Sequence, residues 1–273
     1  MNKLSLTRII VLSVLALNAG AQNVSVSPSR LYFKTPIGEY KTQEVTVTNS
    51  AIKSQSFAIS FGDFEPSGSQ GKSSLMKSGE SVNSCSQWLS AEPSFFELGP
   101  GASQKVKVLM QVPSSPEANK VKWAAMQVKL AKEKKGTDLN DQNAIGLGVT
   151  ETFQFVIHIF QSPPTVTNKN AEIVSFAEIT NEKDSTRMMM LKVTNSGEAI
   201  LDCVSYLEYT NQSNGEEGRQ KPIAYTLLPG SSRELKFPIS STLSEGKYSL
   251  LGVVDYGSRE NVQAAEMEVI IKR

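Results

Sequence analysis

Short runs in which apolar and polar residues alternate recur along this chain, and they constrain its fold more than any other feature. Val106 and Val108 alternate with Lys105 and Lys107, for example, and clusters of Gly, Pro, Asn and Ser separate each run from the next. Alternation with period two places successive side chains on opposite faces of a β-strand, so each run has one face to bury and one to wet. The pattern predicts strands over 23–34, 41–50, 55–64, 87–98, 103–112, 120–131 and 148–160. A second series follows over 171–180, 186–195, 199–210, 222–228, 232–239, 247–256 and 262–272. Helical periodicity is scarce throughout.

Seven short strands within ~100–140 residues is the pattern of an immunoglobulin-like sandwich. Its appearance twice predicts an all-β chain of two immunoglobulin-like β-sandwich domains in tandem. An internal repeat points the same way. Thr46-Val47-Thr48-Asn49-Ser50 in the first half matches Val193-Thr194-Asn195-Ser196 in the second, and Pro100-Gly101 with its following strand matches Pro229-Gly230 with its own. In each Pro-Gly pair, proline presets φ and glycine tolerates positive φ, which suits a tight turn. Between the halves, Pro163 and Pro164 lack the N–H that a sheet ladder needs, so the last strand of the first domain ends before them. The expected domains are 22–162 and 163–273. Two segments, Pro66–Ser84 and Lys132–Asn143, read as exposed loops.

The first 21 residues read as an address. Lys3 and Arg8 precede the apolar run Ile9–Leu17, and Ala19-Gly20-Ala21 supplies small residues for a peptidase, so a signal peptide cleaved after Ala21 is expected. The alternative, a membrane anchor, needs ~20 apolar residues, well beyond this run. The mature chain would begin at Gln22 and work beyond the inner membrane, with periplasmic location expected.

Composition removes whole classes of function. A net charge of +1 argues against a protein that neutralises many phosphates of a nucleic acid. One histidine and two cysteines leave little from which to build zinc modules or histidine triads. No nucleophile elbow, metalloprotease helix motif, phosphate-binding glycine loop or dinucleotide fingerprint occurs. A non-enzymatic protein that requires no cofactor is expected.

The order of several landmarks resembles the PapD-like periplasmic chaperones of pilus assembly. They are Ser29-Arg30-Leu31-Tyr32-Phe33, Val45-Thr46-Val47-Thr48-Asn49, Phe96-Glu97-Leu98-Gly99-Pro100-Gly101, the stretch from Pro116 to Val128, and Ile157-His158-Ile159-Phe160 leading into Pro163. The resemblance implies two immunoglobulin-like domains that bind an incomplete pilin-like or other exported subunit. The last strand of the first domain would add to that subunit's sheet, backbone hydrogen bonds supplying affinity and alternate side chains specificity. It also implies an Arg and a Lys that grip the subunit's C-terminal carboxylate. Arg30 stands where the resemblance places the Arg, and its planar guanidinium suits a carboxylate. The Lys position is taken by His158, whose imidazole is mostly neutral at pH 7 at its ordinary pKa of ~6.5. The donor-strand positions are Leu147, Val149, Glu151 and Phe153, and the Glu departs from an apolar row.

Other readings of these residues stay open. Arg30 also reads as a solvated edge charge, His158 as a satisfied sheet histidine, and Leu147, Val149 and Phe153 as ordinary packing. Cys85 reads as a loop thiol and Cys203 as a buried apolar residue, with an interdomain disulfide as the alternative. The stretch from Asp138 to Asn143 has calcium-loop oxygens but lacks the glycine and closing glutamate of such a loop, so no metal is expected. Met188-Met189-Met190 cannot converge on one metal from a strand and reads as core. Two functions follow: a chaperone-like protein that assists assembly by strand addition, or a permanent adaptor in a cell-envelope or secretion complex.

Overall fold

The computed structural model describes residues 24–131, 154–180, 186–258 and 261–272. The expected signal peptide, the positions Leu147, Val149, Glu151 and Phe153, and the 132–143 loop lie outside the described residues. The first sandwich contains β1 (Val24–Ser27), β2 (Arg30–Phe33), β3 (Tyr40–Asn49), β4 (Gln55–Ser67) and β5 (Lys72–Met76). It continues with β6 (Leu89–Glu92), β7 (Phe95–Leu98), β8 (Ser103–Gln111), β9 (Lys122–Ala131) and β10 (Gln154–Gln161). One sheet has the order β1-β3-β8-β6; the other runs β2-β10-β9-β4-β5, with β7 also on β4.

The second sandwich contains β11 (Ala171–Thr180), β12 (Arg187–Asn195), β13 (Leu201–Asn211) and β14 (Glu217–Arg219). Its remaining strands are β15 (Ile223–Leu227), β16 (Ser232–Pro238), β17 (Gly246–Asp255) and β18 (Gln263–Ile271). They form sheets β11-β12-β16 and β14-β13-β17-β18, with β15 also on β13. The architecture is two immunoglobulin-like β-sandwiches. Among the described residues the helical content is confined to short 3-10 turns at Ser86–Trp88 and Pro116–Asn119.

Each sandwich buries the inward residues of its strands. Leu31, Val45, Val47, Val106, Val108, Met126, Ile157 and Ile159 belong to the first core, and Leu191, Val193, Leu207, Phe237 and Leu250 to the second. A third, smaller cluster lies outside the first sandwich. Phe64, Trp123, Ala125 and Phe160 on the outer face of its larger sheet pack with Leu228 from the second sandwich, and Val166 and Ile200 flank them. This cluster gives the two sandwiches a shared apolar contact.

The internal repeat has one physical purpose in both copies. Asn49 and Asn195 are fully buried at the ends of β3 and β12. Asn49 Nδ2 donates to the carbonyls of Lys53, Leu98 and Gly99 at 2.8, 2.9 and 3.2 Å, and its Oδ1 accepts from the Ala51 N–H at 3.0 Å. Asn195 donates to Ala199 and Leu227 at 2.8 and 3.1 Å and accepts from Gly197 N–H at 2.9 Å. Their own carbonyls accept from Gly101 and Gly230, the glycines of the two Pro-Gly turns, whose φ values are 73° and 74°. Even the neighbouring Thr48–Ser103 and Thr194–Ser232 hydroxyl pairs match, each at 2.8 Å. A strand-end asparagine thus ties the opposite turn to the sandwich in each half.

Three expectations need correction. The run 23–34 is two strands, because Pro28 interrupts the ladder and the chain crosses from β1 in one sheet to β2 in the other. The run 87–98 likewise begins as a 3-10 turn and divides at Pro93 into β6 and β7, which join opposite sheets. The 66–84 segment is only partly loop: β4 continues to Ser67 and returns as β5 through a turn containing Gly68 and Gly71, with φ of 63° and 73°. Lys72–Met76 is almost wholly exposed, so it carries no apolar alternation to betray it.

Candidate functional site

The site grows from the pairing of β2 with β10. These strands run parallel, with Arg30 opposite His158 and Tyr32 opposite Phe160. Leu31 and Phe33 on β2, and Ile157 and Ile159 on β10, point into the first core. The intervening residues therefore point outward, and the sheet presents Arg30, Tyr32, His158 and Phe160 as one patch. Tyr32 stacks on Phe160 with ring centroids 5.2 Å apart, and Phe64 meets the His158 ring edge-on at 4.5 Å. The two residues singled out as an anchor pair thus sit side by side on adjacent strands.

The second sandwich closes this patch into a cleft of 220 Å³. Thr226 on β15 forms part of the far wall, where Arg30 Nη1 donates to its Oγ1 at 3.2 Å, and the same hydroxyl donates to Asp202 Oδ1 at 3.1 Å. Arg30 is exposed, hydrogen-bonded to the second sandwich, and makes no direct ion pair among the described residues. The β4–β5 hairpin forms another wall. Its tip is held to β16 by the Glu234 N–H, which donates to the Ser69 carbonyl at 2.8 Å. Lys72 and Arg233 enter the cleft from the hairpin and β16, and no Asp or Glu among the described residues lines it. Sequence reasoning passes over both cations. Arg233 has Gln104 as its counterpart in the first copy of the repeat, and Lys72 stands in a segment that reads as loop.

His158 offers a hydrogen bond and no charge. Burial holds its pKa below 6.5, and the adjacent Arg30 pushes it the same way, because each disfavours the imidazolium. Its Nε2 lies 3.4 Å from Ser73 Oγ on β5. The cysteines take no part. Cys85 is a free thiol in the loop before the 3-10 turn, as read, but it is buried there because its carbonyl and N–H are tied down where the turn packs beneath β9. Burial and the nearby Asp63 push its thiol pKa up. Cys203 is also buried and free, with a pKa pushed up to about 11, mainly by burial. Of the three consecutive methionines, Met189 is buried in the second core while Met188 and Met190 are half-buried on the other face, as a strand requires. Among the described residues no cluster of His, Cys, Asp or Glu is placed to hold a metal ion.

Beside the cleft, β10 has an uneven border. β9 pairs with it from Gln154 to Gln161, but β2 covers its other side only from His158 to Gln161. The His158 N–H donates to the Ser29 carbonyl, toward β2. Backbone groups alternate in direction along a strand, so those of Val156 point to the same side, where no described strand meets them. Among the described residues no strand fills that row of the sheet, and β2 begins in the same row with Arg30.

No protein-family model matches the sequence, and none of the curated proteins matches it. Several solved structures are similar. A chaperone–tip adhesin complex of CFA/I fimbriae biogenesis is 15% identical over 90% of this chain and 98% of that one, with a TM-score of 0.45. The CsuC–CsuE chaperone–tip adhesion subunit pre-assembly complex of Acinetobacter baumannii Csu pili is 11% identical over 90% and 98%, also at 0.45. The E. coli chaperone DraB is 16% identical over 89% and 98%, at 0.42.

Proposed function

We propose that this chain is an exported, periplasmic assembly chaperone that receives an extended segment of a protein subunit along the open margin of β10. The observation that carries this reading is the stretch Gln154–Ile157, which is paired with β9 on one side and has no described strand on the other, in a strand otherwise paired on both sides. An added strand would satisfy backbone groups there, each bond contributing about 0.5–1.5 kcal/mol net. Its orientation follows from charge. A strand lying parallel to β10 ends against Arg30 with its C-terminus, so a terminal carboxylate meets a guanidinium; an antiparallel strand would bring an ammonium group to the same cation. Arg30 supplies the charge of the anchor and His158 a neutral hydrogen-bonding neighbour. The donor positions Leu147, Val149, Glu151 and Phe153 share sequence parity with Phe155, Ile157 and Ile159, the row that serves the first core.

The test is a proline at Val156. Proline removes an N–H that points to the open margin and leaves the β9 ladder its bonds, so folding is retained while strand addition is not. Wild-type protein is expected to capture a subunit from a periplasmic extract, Val156→Pro to capture none, and Arg30→Glu to capture much less. Undiminished capture by Val156→Pro with a native circular dichroism spectrum refutes strand addition at this margin. A captured protein that exchanges on chase with fresh subunit identifies a chaperone, whereas one that stays bound in a fixed complex identifies an adaptor.

A further inference from the structure

The cleft carries more positive charge than a single carboxylate requires. Arg30, Lys72 and Arg233 reach it from three elements, while its lining holds no acid among the described residues. Arg233 is half-buried and its guanidinium makes no hydrogen bond or ion pair among the described residues; it lies 5.9 Å from the Tyr225 ring centroid. Tyr225 has its hydroxyl occupied by Ser205 at 2.8 Å, so the ring positions Arg233 without neutralising it. Gly71 permits this placement, since a Cβ there would overlap Arg233 Nη1. The nearest acid on β16, Glu234, is 3.9 Å from Lys192, and Asp202 is engaged by Thr226. Asp202 lies behind Thr226 on the Arg30 side, so Lys72 and Arg233 meet no acid in the lining of the cleft, and an anion that enters between the three cations is attracted by all of them.

We infer that Arg233 and Lys72 form a second anionic subsite beside Arg30, and that the cleft selects a subunit whose C-terminal segment carries an acidic side chain next to its terminal carboxylate. This rests on the strand-addition reading: Arg30 takes the terminal carboxylate, and the acidic side chain reaches across to Arg233 and Lys72. Recognition then requires both sandwiches, because Arg233 belongs to the second and Arg30 and Lys72 to the first. The occupancy of the cleft also ties the β4–β5 hairpin to β16 more firmly than the single Ser69–Glu234 backbone bond does.

Three synthetic peptides test this, each a fluorescein-labelled heptapeptide of alternating Val and Thr, read by anisotropy against the mature full chain. One ends in Asp with a free carboxylate, one in Asn with a free carboxylate, and one in Asp with a C-terminal amide. The Asp acid is expected to bind about tenfold more tightly than the Asn acid, a difference of about 1.4 kcal/mol. Arg233→Gln is expected to abolish that tenfold preference while retaining the preference for acid over amide, and Lys72→Gln, at an exposed position, to reduce it without disturbing packing. Equal binding of the Asp and Asn acids, or a preference unchanged in both variants, overturns the second subsite alone. Equal binding of acid and amide overturns the Arg30 anchor beneath it, and no binding of any peptide at millimolar concentration overturns both.

Discussion

Replacing Asn49 by alanine tests whether the repeated strand-end asparagine holds each sandwich together. The side chain is fully buried and makes four hydrogen bonds. Alanine removes all four and leaves the buried Leu98 carbonyl and the half-buried Ala51 N–H without this partner. A buried polar group left without a partner costs about 1–3 kcal/mol, and two such groups bring the expected loss to about 3 kcal/mol. With an m-value of about 2 kcal/mol per molar urea, the unfolding midpoint falls by about 1.5 M. The chain has two tryptophans, Trp88 and Trp123, and both lie in the first sandwich. Tryptophan fluorescence therefore reports that sandwich and, through Trp123, its contact with Leu228, while far-ultraviolet circular dichroism reports both sandwiches. Asn49→Ala is expected to shift the main fluorescence transition, and Asn195→Ala to shift the dichroism transition at lower urea with only the smaller fluorescence change that follows when Trp123 loses Leu228. Asn49→Asp should be at least as harmful, because it sets a carboxylate oxygen against three carbonyl oxygens. A fluorescence midpoint that moves by less than about 0.3 M in Asn49→Ala would show that the bonds are incidental.

Other perturbations follow from the same geometry. His158 has a lower pKa folded than the 6.5 it starts from, so the unfolded chain binds more protons between the two values and stability falls as pH drops through that window. His158→Gln should flatten this dependence, read as melting temperature at pH 7.5 against pH 5.5; an unchanged slope refutes the assignment to His158. Both buried thiols should resist Ellman's reagent at pH 8 in the native protein and both should react in urea, giving two thiols per chain; rapid reaction of either before unfolding contradicts their burial. Gly71→Ala forces a side chain into a backbone with φ of +73° and displaces Arg233, and should cost about 1–2 kcal/mol. The same change at Gly101, where a Cβ meets nothing within 4 Å, isolates the conformational component of that cost in an equilibrium urea titration.

The sheets are legible in the sequence because burial imposes period two on any strand with one dry face. β11, for example, occupies 171–180 as the alternation predicts. The failures have physical causes. Pro28 and Pro93 divide runs whose alternation continues across the break, so pattern alone joins strands that belong to opposite sheets. β5 and β14 escape notice because exposed strands have no buried face to write into the sequence. The burial of the loop thiol Cys85 is hidden for a related reason: its neighbours are serines, yet Asp63 draws Ser84 and Ser86 inward with 2.5 Å bonds, and the cysteine is carried beneath them.

The site is half legible, and the division follows the repeat. Arg30 and His158 lie on strands whose order along the chain carries the resemblance to the PapD-like chaperones, so the sequence marks them as a pair and the fold sets them in register. Arg233 and Lys72 join them only because a hairpin from one sandwich reaches an edge strand of the other. The asparagine locks are common to both copies and therefore maintain each sandwich separately; they cannot distinguish the sandwiches or direct one toward the other. What makes the pair asymmetric is how one hairpin is built: β4–β5 corresponds to β13–β14 of the second copy, but it is β4–β5, with its Ser69 carbonyl and Gly71 turn, that reaches the other sandwich. Shortening that turn would leave both cores and both locks intact, yet it would withdraw Lys72 and free Arg233 from its wall. Binding at the cleft should therefore be lost before either sandwich is destabilised, because the charges are assembled by the contact between domains and not by either core.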